Sequence, residues 1–175
     1  MQCPHLERHF PKLAAAGYVK TSEETGYPPK DGAYNCIAWA ANDIYHGFWW
    51  PDDDSYWPFG VKREETIHSF IQVFRHLGYR VCDNSRLNFF YEKVALYALG
   101  QKPKHMARQL RDGTWTSKCG GAEDITHFTL DAVESYGPHP FFGEYGRPVL
   151  FMRRLIFTSW LVRLVQWIKW RASSV

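Results

Sequence analysis

The feature that most limits the possible folds is a series of strand-like segments in the second half of the chain. These segments cover residues 93–98, 105–110 and 114–118, and Asp112-Gly113 separates the last two. Asp-Gly between two such segments is a strong signal for a β-hairpin. The second half of the chain therefore predicts an antiparallel sheet.

Helical patterns come earlier in the chain, at residues 6–16, 36–45 and 64–77. In the last of these, apolar residues recur every three or four positions, as on the buried face of an amphipathic helix. Helices followed by antiparallel strands predict an α+β fold, in which the N-terminal helices pack on a small antiparallel sheet. We expect this domain to cover residues 1–152.

Composition limits the function classes and the compartment. The chain has 175 residues, of which 45% are hydrophobic, so one domain with a substantial core is expected. A net charge of +3 without a Lys/Arg tract argues against nucleic-acid binding. The four cysteines are widely spaced, which predicts reduced thiols in a cytoplasmic protein. Neither they nor the acidic residues have the spacing of metal ligands, so we expect no metal and no cofactor.

Cys36 stands at the start of the second helical pattern, after the polar segment Lys30-Asp31-Gly32. Free backbone N–H groups and the positive end of a helix dipole stabilise a thiolate, so this placement predicts a lowered pKa and a reactive thiol. The same N–H groups can hold a developing oxyanion. Cysteine is also a common buried core residue, and Cys36 alone leaves both interpretations open.

His105 is the candidate partner of this thiol. It occupies the first position of the predicted strand 105–110, where we expect it to point from the sheet edge towards a helix packed against it. Imidazole titrates near neutral pH, so it can accept a thiol proton and return it to a leaving group. A two-residue turn in the hairpin places His105 opposite Gly120 and Ala107 opposite Lys118. An ordinary edge histidine is the alternative.

A cysteine at the start of an early helix, followed by a strand that begins with histidine, resembles the papain-like superfamily of cysteine hydrolases, in particular its NlpC-like and CHAP-like members. The similarity covers about residues 31–127. The motifs Tyr-Asn-Cys-Ile-Ala-Trp-Ala at 34–40 and His-x-Ala-Arg-Gln at 105–109 also resemble a bacterial and phage family that has no assigned activity. The resemblance implies a papain-like fold with Cys36 as the nucleophile and His105 as the base.

The same superfamily often has a third polar residue that orients the histidine. The nearest carboxylates are Glu123 and Asp124, of which Asp124 is preferred, and His127 is another possibility. A helix-capping role for Asp124 is the alternative. Tyr34 and Asn35 precede the thiol and are candidates for contacts to an oxyanion. Asn35 can also serve simply as a helix cap.

Aromatic residues near the thiol are candidates for the wall of a substrate groove. Trp39 lies within the predicted helix, and Trp49, Trp50 and Trp57 occupy the acidic loop that follows it. Such a loop can wall a groove for a protein or peptide substrate. The same rings can instead close one edge of the core.

Residues 153–175 differ sharply in composition from the rest of the chain. They are mostly apolar but carry Trp160, Trp167 and the cation Arg163. This composition predicts a basic amphipathic C-terminal helix, which Arg163 makes a poor candidate for spanning a bilayer. Residues 153–171 can instead contact a membrane peripherally, dock on the domain, or join two copies of the chain.

These expectations combine into one hypothesis of function. The chain is expected to be a papain-like cysteine hydrolase, acting as a peptidase, amidase or deamidase through an acyl-enzyme on Cys36. The alternative, from another class, is a non-catalytic module on the same fold that binds a protein or a membrane. The reactivity of the Cys36 thiol distinguishes the two.

Overall fold

The structure is a computed structural model in which residues 3–21, 33–43, 45–137 and 143–157 are described. Short helices come first, and most of the strands follow them. The helices are Pro4–His9 (α1), Leu13–Ala16 (α2), Cys36–Ala41 (α3) and Ile67–His76 (α4), with a 3-10 turn at Leu130–Val133. The strands are Tyr18–Lys20 (β1), Arg80–Cys82 (β2), Tyr91–Leu99 (β3), Lys102–Gln109 (β4), Trp115–Lys118 (β5), Asp124–His127 (β6) and Arg147–Leu155 (β7).

The described strands form one antiparallel sheet in the order β1-β6-β5-β4-β3-β7-β2. The predicted α+β class is therefore confirmed, but the sheet has seven strands and is larger than expected. The sequence analysis missed β1 and β6, which are only three and four residues long. Asp124 begins β6, so its predicted alternative role as a helix cap is wrong.

Side-chain alternation along the strands gives the sheet two packed faces. On one face, α3 and α4 cover Val94, Leu96 and Met106, and we call this the α3-side core. On the other face, the N-terminal helices cover Ala95 and Ala107, and we call this the α1-side core. Consecutive residues of β3 and β4 therefore belong to different cores.

Helix α3 begins at Cys36, as predicted, because Asn35 caps it. The Asn35 side-chain oxygen accepts a hydrogen bond from the backbone N–H of Ala38 at 3.1 Å. The helix ends at Ala41, earlier than the expected residue 45, because Asn42 adopts a left-handed backbone with a φ of 58°. This short helix fixes Cys36 at its first position.

Helix α4 holds the α3-side core in place. Phe70, Phe74 and Leu77 are buried, which confirms the predicted apolar face of this helix. Thr66 caps its start, with the side chain accepting from the backbone N–H of Ser69 at 3.2 Å.

The β4–β5 hairpin has a different register from the two-residue turn that the sequence predicts. Residues 111–113 form a three-residue turn, in which Gly113 has a φ of 95°. The pairing then joins Arg108 to Thr116. Because a shift of one residue exchanges the faces of a strand, the register that placed His105 opposite Gly120 is wrong.

The C-terminal strand extends past the predicted domain boundary at residue 152. Strand β7 runs to Leu155, so residues 153–155 belong to the sheet and the expected helix does not begin there. Ile156 and Phe157 have helical backbone, and the rest of the expected helix lies outside the described residues. Within the described residues, helices fall short of the length and apolar character that crossing a bilayer requires.

Candidate functional site around Cys36 and His105

Cys36 is partly buried at the start of α3, where its sulfur meets the backbone of β4. The backbone N–H groups of Met106, Cys36 and Ile37 donate towards the sulfur, and the charge of Lys118 acts on it. These groups favour a thiolate. The thiol thus lies beside the residue that follows His105 in β4.

The predicted lowering of the Cys36 pKa is nevertheless wrong. Burial raises the pKa of Cys36 to about 11, and the surrounding N–H groups and Lys118 only partly oppose this change. Removing a thiolate from water costs more free energy than the two N–H groups of the helix, the Met106 N–H and Lys118 return. The resting thiol is therefore neutral at physiological pH.

His105 differs from the prediction in both position and direction. It is the fourth residue of β4, a central strand, and is fully buried rather than exposed at a sheet edge. Its ring stacks on Tyr145 with centroids 4.0 Å apart and meets Tyr97 edge-on at 5.2 Å. Both tyrosines belong to the α1-side core, whereas Cys36 packs against the α3-side core.

A chain of buried hydrogen bonds holds His105. Its Nε2 lies 3.0 Å from the Ser117 hydroxyl, which lies 2.9 Å from Nε2 of His127. Nδ1 of His127 is 2.7 Å from the carbonyl oxygen of Thr129. Burial lowers the pKa of His127 to about 4 and that of His105 well below its usual value, so both rings are neutral.

This chain assigns the proton on each ring. The Thr129 carbonyl can only accept, so Nδ1 of His127 carries the proton and its Nε2 accepts from the Ser117 hydroxyl. The Ser117 oxygen must then accept from Nε2 of His105. Nδ1 of His105 therefore carries a lone pair and no proton. This atom is buried without a hydrogen-bond partner among the described residues.

The part of β4 that contains His105 and Met106 is not paired with β5. The two strands pair only at Arg108 and Gln109 of β4, although β4 extends back to Lys102. The Met106 N–H is therefore available to the Cys36 sulfur. Burial raises the pKa of Tyr145, whose ring stacks on His105, and charges on Cys119 and then Cys36 raise it further.

Asp124, the predicted third residue, is not hydrogen-bonded to His105. Its carboxylate accepts a 2.6 Å hydrogen bond from the Tyr34 hydroxyl and lies 3.8 Å from the Lys118 ammonium. The Lys118 ammonium also lies 5.2 Å from the centre of the Tyr34 ring. These groups form a buried polar cluster on the α3 side. The hydrogen-bond partner of His105 is Ser117, and not Asp124 as predicted from the sequence.

Residues 26–153 match a family described as a domain of unknown function, DUF7689. The chain belongs to the DUF7689 family. None of the curated proteins and none of the solved structures matches it. The DUF7689 region contains Cys36, His105, Ser117 and His127, and it ends within β7.

The other sequence candidates in the DUF7689 region have structural roles. Asn35 caps α3 and also binds the backbone of Trp49 through both side-chain atoms. Trp39, Trp49 and Trp57 are buried in the α3-side core, so they do not wall a groove. Trp50 is partly exposed and its ring nitrogen donates to Glu65.

The sequence analysis missed Ser117, Tyr145 and Lys118. Ser117 and His127 lie on the same face of neighbouring strands, a signal that becomes visible only when β6 and the hairpin register are known. The described residues include no group of three or more acidic, histidine or cysteine side chains placed to hold a metal ion.

Proposed function

We propose that this DUF7689 protein is a cysteine hydrolase that cleaves an amide or ester bond through an acyl-enzyme on Cys36. His105 is the general base in this proposal. The papain-like fold suggested by the sequence motifs is part of the same proposal. The substrate class is a peptide, a protein or a side-chain amide.

The observation that carries the proposal is the bare Nδ1 of His105. A buried acceptor without a partner costs roughly 1–3 kcal/mol, and this one lies on the ring of the proposed base. The hydrogen-bond chain through Ser117 assigns the ring proton to Nε2, so Nδ1 can accept a proton but has none to donate. The neighbouring residue, Met106, already contacts the Cys36 sulfur.

The reaction begins with a neutral thiol and a neutral imidazole. As the sulfur attacks the carbonyl carbon, the thiol proton moves to His105 Nδ1 and the carbonyl electron pair moves to oxygen. Backbone N–H groups beside the sulfur can stabilise that oxyanion. The tetrahedral intermediate then expels the leaving group, which takes the proton from Nδ1, and water hydrolyses the thioester.

The pKa values favour general-base catalysis over a resting thiolate–imidazolium pair. A high Cys36 pKa and a low His105 pKa keep both groups uncharged until the substrate arrives. The sulfur and the His105 ring pack against different cores in the free protein, so the proposal requires substrate binding to bring the sulfur and Nδ1 into hydrogen-bond contact.

Acylation by p-nitrophenyl acetate tests this proposal. We expect a burst of p-nitrophenol and an acetyl group on the Cys36 peptide in mass spectra. Cys36→Ser removes both, and His105→Gln lowers the rate by about 10²- to 10⁴-fold. Cys82→Ser is the matched control because its thiol contacts the Asn84 carbonyl, away from this site. Equal acetylation of all four cysteines contradicts the proposal.

The burial of the site favours one alternative, a non-catalytic binding module on the same fold. His105 is fully enclosed beneath Tyr145, as a purely structural histidine would be. In that case His105→Gln lowers the stability of the protein but leaves the acetylation rate of Cys36 unchanged.

A further inference from the structure

A row of three cations runs across neighbouring strands on one face of the sheet. These strands, β2, β7 and β3, do not include β4, which contacts Cys36. Arg153 of β7 lies directly opposite Arg80 of β2 on one side and Lys93 of β3 on the other. Side chains directly opposite in an antiparallel pair share a face, and like charges there are destabilising. The row therefore costs stability in the isolated protein.

No described acidic residue neutralises the two arginines of this row. Arg80 and Arg153 are exposed, and neither makes an ion pair with a described residue. Arg153 lies over the Tyr91 ring at 4.7 Å, and Lys93 donates to the carbonyl and side-chain oxygens of Asn84. These contacts fix the side chains but leave their positive charge uncompensated.

Exposed aromatic rings border this row. Phe89, Phe90 and Phe157 are 78%, 75% and 77% exposed, and they line one groove with Leu155. Leu155 also lines the adjoining groove that contains Arg80 and Arg153, so the apolar and cationic parts are continuous. We call Arg80, Arg153 and the three phenylalanines the basic–aromatic surface, to which the buried Lys93 adds its charge but no exposed side chain.

The backbone holds these rings in exposed positions. Asn88 accepts a hydrogen bond from the Phe90 N–H at 3.0 Å, and its own carbonyl accepts from Tyr91 at 3.0 Å. The Phe90 carbonyl accepts from the Ile156 N–H at 3.1 Å, which ties this turn to the end of β7. Phe89 and Phe90 are thus presented by a defined turn and not by an irregular loop.

We propose that the basic–aromatic surface binds an anionic phospholipid bilayer. The exposed rings enter the interfacial region, while the arginines contact lipid phosphates. This proposal does not depend on Cys36 or on the proposed hydrolysis. It adds peripheral membrane attachment through β2, β7 and the aromatic residues beside them.

Charge excludes the other plausible occupants of this surface. Residues 158–175 contain no acidic residue and carry Arg163, Lys169 and Arg171, so they cannot neutralise the cationic row. A second copy placed by a two-fold axis would bring a like-charged row against this one. An anionic lipid surface neutralises the row.

Vesicle co-sedimentation of the full chain tests the proposal. We expect binding to vesicles of phosphatidylcholine mixed with phosphatidylglycerol, weaker binding at high salt, and little binding to phosphatidylcholine alone. Phe89→Ser/Phe90→Ser and, separately, Arg80→Gln/Arg153→Gln each weaken binding roughly tenfold or more. Failure of the unmodified chain to bind anionic vesicles overturns the proposal.

Matched controls separate this surface from the rest of the molecule. Phe59→Ser removes a fully exposed ring, and Arg8→Gln/Lys62→Gln removes two exposed cations, all outside the basic–aromatic surface. If these controls weaken binding as much as the surface variants do, or if the surface variants bind normally, the assignment is wrong. It is also wrong if the surface variants change only the oligomeric mass in light scattering, or only binding to a single-stranded oligonucleotide.

Discussion

The β4–β6 region and the β2–β7 region of the sheet place polar groups in opposite environments. In the first, His105, Ser117 and His127 are fully buried and joined by hydrogen bonds. In the second, Arg80 and Arg153 are exposed and face each other across the strands.

The difference shows how environment selects the chemistry of a polar side chain. Burial keeps the histidines neutral, which suits proton transfer and not the binding of a charged partner. Exposure keeps the arginines charged and hydrated, which suits attraction to an anionic surface. Substitutions in the buried region should therefore change stability strongly, and substitutions in the exposed region should change it little.

The largest loss of stability is expected from Gly146→Ala, next to Tyr145. Gly146 has a φ of 69°, and an added Cβ would lie 2.0 Å from the Ala98 carbonyl oxygen. The backbone must shift, so we expect a loss of about 3–5 kcal/mol in the free energy of unfolding, measured by urea denaturation. Gly121→Ala is the control because its Cβ meets no atom within 4 Å. Equal stability of the two variants would show that the packing around Tyr145 is loose.

The second-largest loss of stability is expected at acidic pH, from the buried region. Histidine titrates near 6.5 when unfolded, whereas burial lowers the pKa of His127 to about 4. At pH values between these two, the unfolded chain binds more protons than the folded chain. The contribution of neutral His127 to stability is therefore fully present above about pH 6.5 and falls as the pH drops. For His127 we expect a loss of about 2 kcal/mol between pH 7 and pH 5.

Urea midpoints at the two pH values measure this effect. His105 adds to the loss, since its pKa is also lowered by burial. His127→Gln should reduce the pH dependence, whereas His68→Gln, at an exposed position, should retain it. An unchanged midpoint between pH 7 and pH 5 would contradict neutral, buried histidines.

Ser117→Ala should lower the free energy of unfolding by about 1–3 kcal/mol, because it leaves Nε2 of His105 and of His127 without a hydrogen-bond partner. It should also slow acylation of Cys36, since His105 is no longer held with its proton on Nε2. Ser117→Thr keeps the hydroxyl and should restore much of the acylation rate. A variant that loses stability but keeps the full rate would limit Ser117 to a structural role.

The smallest effect on stability is expected in the exposed region, with the opposite sign. Arg80→Glu converts the like-charge pair with Arg153 into an opposite-charge pair, which should stabilise the fold by about 0.5 kcal/mol at low salt. The gain should disappear in concentrated salt, and binding to anionic vesicles should weaken. A loss of stability at low salt would show that Arg80 has an unrecognised partner within the fold.

The fold class and the two central strands could be predicted because their signals are local. Strand-like segments predicted β3 and β4, and the position of Cys36 predicted the start of α3. Asp112-Gly113 correctly indicated a hairpin. The length of the turn could not be predicted from these two residues, because Gly113 also fits the left-handed position of a three-residue turn.

The site was only partly predictable because its contacts are long-range. The partner of His105 comes from β5, and Ser117 in turn meets His127 of β6. The pKa of Cys36 depends on burial by the assembled fold, which outweighs the local effect of the helix start. The basic–aromatic surface depends on strand order, since Arg80 and Arg153 are distant in sequence.

The central claim is that His105 presents a bare Nδ1 as a base. Two-dimensional ¹H–¹⁵N NMR of the imidazole rings at neutral pH measures this directly. We predict that His105 is neutral with its proton on Nε2, and that His127 is neutral with its proton on Nδ1. A charged His105, or one with its proton on Nδ1, would contradict the account.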